Sequence, residues 1–180
     1  MMKKKAGKKN RGGFTLSETI VAVLIVVMVA GVVAGGIPAA ANALHNAVDA
    51  SHAQLLLSTT MTSMRDELSM AKDIQCEEGR IVYTDSSGVL TEIAVKPGGI
   101  YMKKFASPDG SVEDAVTEER RLVSAQAATE GLHETFKEAS YDADKGIVSI
   151  KNLKVCRGTD VLAQLGGVAY EIEIIAKKGE

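Results

Sequence analysis

The chain has 180 residues, 24% of them charged, a composition that allows one globular domain of modest core size together with whatever its N-terminal segment is. Its net charge of −2 hides an asymmetry: the first thirteen residues hold six cations (Lys3, Lys4, Lys5, Lys8, Lys9 and Arg11) and no acid, leaving 15 basic against 23 acidic groups, a balance of −8, in the rest. That body is a poor general binder of nucleic acid or anionic lipid, whose affinity rests on accumulated Lys and Arg.

After the cations comes an apolar stretch. No formal charge occurs between Thr19 and Val48, and Ile20 to Ala34 is almost wholly Val, Ile, Leu, Met and Ala. About 20 such residues in a helix rising ~1.5 Å each cross a hydrocarbon layer of ~30 Å. Lysines before the span predict a cytoplasmic N-terminus, with everything after Pro38 on the far side of the membrane, where disulfides are permitted. The competing expectation is an ordinary secretory signal with small-residue cleavage sites in "PAAANA" at 38–43. An h-region of ~7–15 residues is shorter than this run, and it has no use for the one carboxylate at the start of the span, Glu18. A carboxylate there carries an energetic cost, which marks it as a candidate for a functional partnership.

Read together, "KKNRGGFTLSE" at 8–18 resembles the class III leader of type IV pilins and pseudopilins. The basic leader, Gly13, Phe14, Thr-Leu and Glu18 stand in order before the long apolar helix. The resemblance covers residues 1–70. It implies a membrane prepilin peptidase that cuts between Gly13 and Phe14 and methylates the new Phe14 amine. It further implies a cytoplasmic assembly ATPase, a platform protein and other pilin subunits, in a homo- or heteropolymer, as partners. The expected function is structural rather than enzymatic, with no cofactor and no direct nucleic-acid partner. Glycine suits a scissile junction that must enter a protease cleft extended. A carboxylate among packed apolar helices requires a cation, and the amine of a neighbouring subunit supplies it, so the pair would set axial register.

Further along the helix, Gly31 and Gly35 form a small-xxx-small pattern that permits close helix approach, or are simply glycines tolerated in a membrane helix. Gly35, Gly36 and Pro38 cluster where a helix is weakened, marking a kink or a bend at the outer membrane face, and the resemblance implies a segment that unwinds on assembly. From 42 to 73 the pattern becomes that of an amphipathic helix, with Leu44, Val48, Leu55, Leu57, Met61, Met64 and Leu68 as its apolar stripe. His45 and His52 share one stripe without a third ligand, which reads as solvation or packing rather than metal binding.

Residues 74–180 read as a mainly β extracytoplasmic domain. The segment 80–95 predicts a hairpin around Asp85-Ser86-Ser87-Gly88, and 99–105 a further strand. The stretch 106–131 predicts a loop with short elements, Ser111 and Asp114 being a candidate helix cap. Strands over 132–141, 147–156 and 168–176, with a turn at 142–146, predict an antiparallel meander packed on the amphipathic helix half. The expected class is therefore α+β and pilin-like, organised as a leader (1–13), a transmembrane and polymerisation helix (14–41), an amphipathic half (42–73) and a head (74–180).

Catalytic patterns are missing from the sequence. "HETFK" at 133–137 has Lys137 where a zincin requires its second His, and no P-loop, nucleophile elbow or dinucleotide fingerprint occurs. "DADKG" at 142–146 makes Asp142 and Asp144 a weak calcium candidate against the default of a hairpin turn. Cys76 and Cys156 are a candidate disulfide closing about 80 residues, or two free thiols. The rival to a filament subunit is a membrane-anchored or secreted domain that binds a ligand or acts on a substrate.

Overall fold

The computed structural model describes residues 13, 15–106, 116–124, 128 and 131–175. The chain divides into two units, 1–46 and 47–180. One helix, α1, runs from Leu16 to Leu68 and contributes to both. Phe14 and the proposed Ser111–Asp114 cap lie outside the described residues.

In the first unit α1 buries none of its described large apolar side chains. Every large apolar side chain from Ile20 to Ile37 is between 50% and 75% exposed, the state of a helix whose solvent is something other than water. The helix continues through Gly35, Gly36 and Pro38. Pro38 brings no N–H to that ladder, so the helix holds together there on the bonds of neighbouring turns.

In the second unit the same helix turns one face inward. Ala53, Leu56, Leu57, Thr60, Met64 and Leu68 are buried, at the three- and four-residue spacing of a single helical face. The expected stripe is corrected at its start: Leu44, Val48 and Leu55 remain 66%, 42% and 62% exposed. Leu55 and Leu56 are about 100° apart around the axis, and the sheets take the Leu56 side.

Eleven strands follow among the described residues. Sheet one is β1 (Lys72–Glu77), β2 (Arg80–Thr84), β3 (Leu90–Lys96), β4 (Gly99–Phe105) and β5 (Val116–Arg121), antiparallel in sequence order. The predicted 80–95 hairpin is β2–β3, with Thr84 opposite Leu90. Its turn is held by Asp85, whose Oδ1 accepts the amides of Ser87 (2.8 Å) and Val89 (3.0 Å). Strand β1 was not expected, and β5 falls in the stretch predicted as a loop with short elements. Its Glu118, Glu119, Arg120 and Arg121 carry no hydrophobic alternation because the strand is an edge of the sheet with exposed side chains at 118–120.

The meander expectation is also corrected. Residues 132–141 divide into β6 (Leu132–Thr135) and β7 (Glu138–Asp142), and 147–156 into β8 (Ile147–Lys151) and β9 (Lys154–Arg157). β7 pairs with β8 and β6 with β9, so one long hairpin breaks in its middle and feeds two sheets. The break has a backbone cause: Asn152 sits at φ 56°, a left-handed conformation that Asn tolerates better than most residues. The three-stranded sheets are completed by β10 (Asp160–Gln164), also unexpected, in the order β10-β9-β6, and by β11 (Tyr170–Glu173) in the order β11-β8-β7. In the last predicted strand Ile172 is buried and Glu171 and Glu173 face out, while Val168 stands outside β11 and is 72% exposed.

One apolar cluster joins the inward face of α1 to Ile81, Tyr83, Ile93, Ile100, Val148 and Ile150 of the sheets. The architecture is α+β and pilin-like, as expected.

Candidate assembly site

The helix start is built by "TLSE". Thr15 precedes the first helical residue, and Glu18 stands three positions on, the arrangement of a capping box. The Thr15 amide donates to Glu18 Oε2 at 2.9 Å and the Thr15 hydroxyl to the same oxygen at 3.0 Å. In return the Glu18 amide donates to Thr15 Oγ1 at 3.3 Å. Ser17 Oγ lies 3.0 Å from Thr15 Oγ1. Two of the orphan amides that every helix N-terminus leaves are thereby satisfied within five residues. The T-x-x-E spacing was readable in the sequence, and reading Glu18 as a partner for another chain, or as an acid reaching the membrane interface from a helix end, missed it.

Gly13 is exposed, three residues before the first helical one. Gly31, Gly35 and Gly36 lie on α1, and no described residue comes within 4 Å of where a Cβ would stand. Pro38 lies inside the helix.

Residues 8–34 match the family model of the prokaryotic N-terminal methylation motif. The chain carries a prepilin-type methylation motif. No curated protein and no solved structure matches the chain. The match includes Gly13, Phe14, Glu18 and Gly31 and ends before Gly35 and Pro38. The matched motif is the class III prepilin leader of type IV pilins and pseudopilins.

The head of this pilin-like chain is tied to the helix by polar contacts. Arg157 of β9 makes a forked contact with Asp49 of α1, Nη1 to Oδ2 at 2.6 Å and Nη2 to Oδ1 at 2.9 Å. Glu67, near the helix end, accepts from Arg120 at 3.0 Å and from the Tyr83 hydroxyl at 3.5 Å. Burial, then the charges of Glu67 and Asp85, push the Tyr83 phenol upward, so it stays a neutral donor. Tyr170 of β11 donates to the Met61 carbonyl at 2.9 Å.

The remaining sequence candidates are placed as follows. Asp142 and Asp144 lie on the β7–β8 turn. Asp142 Oδ1 accepts the amides of Asp144 (3.1 Å) and Lys145 (3.2 Å), and Oδ2 lies 3.2 Å from Lys145 Nζ. These Lys145 contacts first, then the Asp144 amide, hold the Asp142 carboxyl below its ordinary value. Among the described residues no three His, Cys, Asp or Glu side chains gather as a metal would require. Cys76 on β1 and Cys156 on β9 are free thiols in the structure, on strands of different sheets. Burial pushes the Cys76 thiol up to about 11, which keeps it from the thiolate form that exchanges disulfides.

Proposed function

We propose that the chain is a structural subunit of a type IV pilus or type II secretion-like filament. It enters the membrane as a single-pass precursor with its leader, residues 1–13, in the cytoplasm and its head on the far side. A prepilin peptidase cuts between Gly13 and Phe14 and methylates the Phe14 amine. An assembly ATPase and platform protein then move the subunit into a filament built on residues 14–41 of α1. The observation that carries this reading is the methylation motif at 8–34 running directly into a helix segment that the chain itself leaves unburied.

Two features support it. Cutting after Gly13 removes all six leader cations and leaves one amine, a partner of opposite sign for Glu18 in an apolar medium. Gly31 and Gly35 offer flat helix surface for close contact with neighbouring copies, and the exposed Leu44, Val48 and Leu55 form a second apolar stripe about 180° around the helix from Gly35.

The test is the mass of the mature N-terminus in protein recovered from native membranes. The expected species begins at Phe14 and carries one added methyl group. A chain beginning near 40–43 marks an ordinary secretory signal, and an intact Met1 marks an anchor without processing; either result refutes the proposal.

A further inference from the structure

We infer that Thr15 is the positioning residue for the assembly contact of Glu18, an inference that rests on the filament reading above. Both donors of Thr15, its amide and its hydroxyl, converge on one oxygen of the Glu18 carboxylate, Oε2, at 2.9 and 3.0 Å. Among the described residues Oε1 receives no hydrogen bond. The carboxylate is thus held at one oxygen by its own chain and presents the other outward. A charged carboxylate accepts several hydrogen bonds, so an amine arriving at Oε1 adds to the Thr15 bonds and displaces none of them.

This arrangement answers two needs of an acid in an apolar segment. While the subunit waits in the bilayer, the Thr15 bonds offset part of the cost of carrying the charge there. When a neighbour docks, a side chain already fixed in one rotamer loses less freedom on forming the pair than a free glutamate does. The hydroxyl has one hydrogen to give. Ser17 Oγ, 3.0 Å from Thr15 Oγ1, can donate to Thr15, which leaves the Thr15 hydrogen directed at Glu18. Thr15 precedes the helix and follows Phe14, so it remains in the chain after a cut at Gly13 and the bonds survive processing.

A helix cap and a carboxylate-positioning donor make different demands on residue 15, and substitutions separate them. Serine meets both demands. Aspartate caps a helix as well as serine does and keeps the backbone donor, but its side chain cannot donate to Glu18 and sets a second negative charge beside it. Alanine keeps the backbone donor and loses the hydroxyl.

The experiment expresses the full chain with its own assembly machinery. It compares filament yield, membrane insertion and N-terminal mass for wild type, Thr15→Ser, Thr15→Ala, Thr15→Asp and Glu18→Gln. Thr15→Ser is expected to assemble within about twofold of wild type. Thr15→Ala and Thr15→Asp are expected to insert and to be cut after Gly13, yet to lose at least about tenfold in yield, the scale of one charge-assisted hydrogen bond. Wild-type assembly by Thr15→Asp, with Glu18→Gln impaired, shows that residue 15 only caps the helix and overturns the inference alone. Undiminished assembly by Glu18→Gln overturns the filament reading and this inference together.

Discussion

Glu134 holds a negative charge where water does not reach, its side chain fully buried beneath the first sheet. Its Oε2 meets Arg121 Nη2 at 2.6 Å, and its Oε1 accepts from Arg121 Nε and from the Ile100 amide, both at 3.2 Å. Desolvation makes such a pair a poor source of net stability, but removing one member strands the other charge. Glu134→Ala is therefore expected to lower head stability by ~3–5 kcal/mol, read as a reduced urea midpoint. Gly99 makes room for the pair: a Cβ there would stand 2.7 Å from the Arg121 guanidinium and 2.8 Å from Glu134, on a backbone at φ 143°. Asp85 contributes a pH dependence to the head. Burial acts to raise its carboxyl, but the Val89 amide, the Lys104 ammonium at 3.0 Å and the Ser87 amide together hold it below the ordinary 3.8. Because the folded value is the lower one, the stabilisation is fully present above about pH 3.8 and disappears as pH falls through the folded value. The melting temperature should decline below about pH 4, and Asp85→Asn should flatten that decline while lowering stability at neutral pH.

Among the elements, α1 is one helix under two sets of rules. Its first part satisfies its backbone within itself and leaves its large apolar side chains exposed. Its second part is half a core. Neighbouring leucines make the contrast measurable. Leu56 is fully buried, so Leu56→Ala should destabilise the head by ~2–5 kcal/mol in thermal or chemical melts. Leu55 is 62% exposed, so Leu55→Ala should change the same melts by less than about 0.5 kcal/mol. If Leu55 serves contacts between copies, the filament yield of that variant should nevertheless fall, and equal behaviour of the two variants in the melts contradicts the orientation of the helix. The bent hairpin of β6–β7 and β8–β9 shows the other way an element departs from its sequence pattern. Both arms alternate acceptably for a straight strand, and the positive φ at Asn152 together with the buried Phe136 at the break of the other arm sends each arm's two halves to different sheets.

For the molecule as a whole, the division of charge follows the division of labour proposed for it. Six cations stand in the segment proposed as a removable leader, no formal charge falls between Thr19 and Val48, and the acidic balance lies in the remainder. Glu18 opens the charge-free run, so its neutralisation should spare insertion and affect only assembly. Glu18→Gln is expected to reach the membrane and be cut normally, while filaments are sparse or disordered by electron microscopy. A misplaced subunit then no longer leaves a buried charge unpaired, a penalty of ~3–5 kcal/mol that would otherwise enforce register.

Taken alone, the sequence determined the segments whose physics is local. A charge-free run of helix length, a T-x-x-E cap and a Gly-Phe junction after lysines are written in consecutive residues, and so are the Asp85 to Gly88 turn and the strands on either side of it. Tertiary structure decided what depends on residues far apart in the chain. The side of α1 that faces the sheets, the edge position that lets charged Glu118 to Arg121 form a strand, and the break of one hairpin into two sheets each depend on partners many residues away. The Arg121–Glu134 and Arg157–Asp49 pairs join residues 13 and 108 positions apart. No periodicity records such pairings, because side-chain alternation reports which way a residue faces and not what it will meet there.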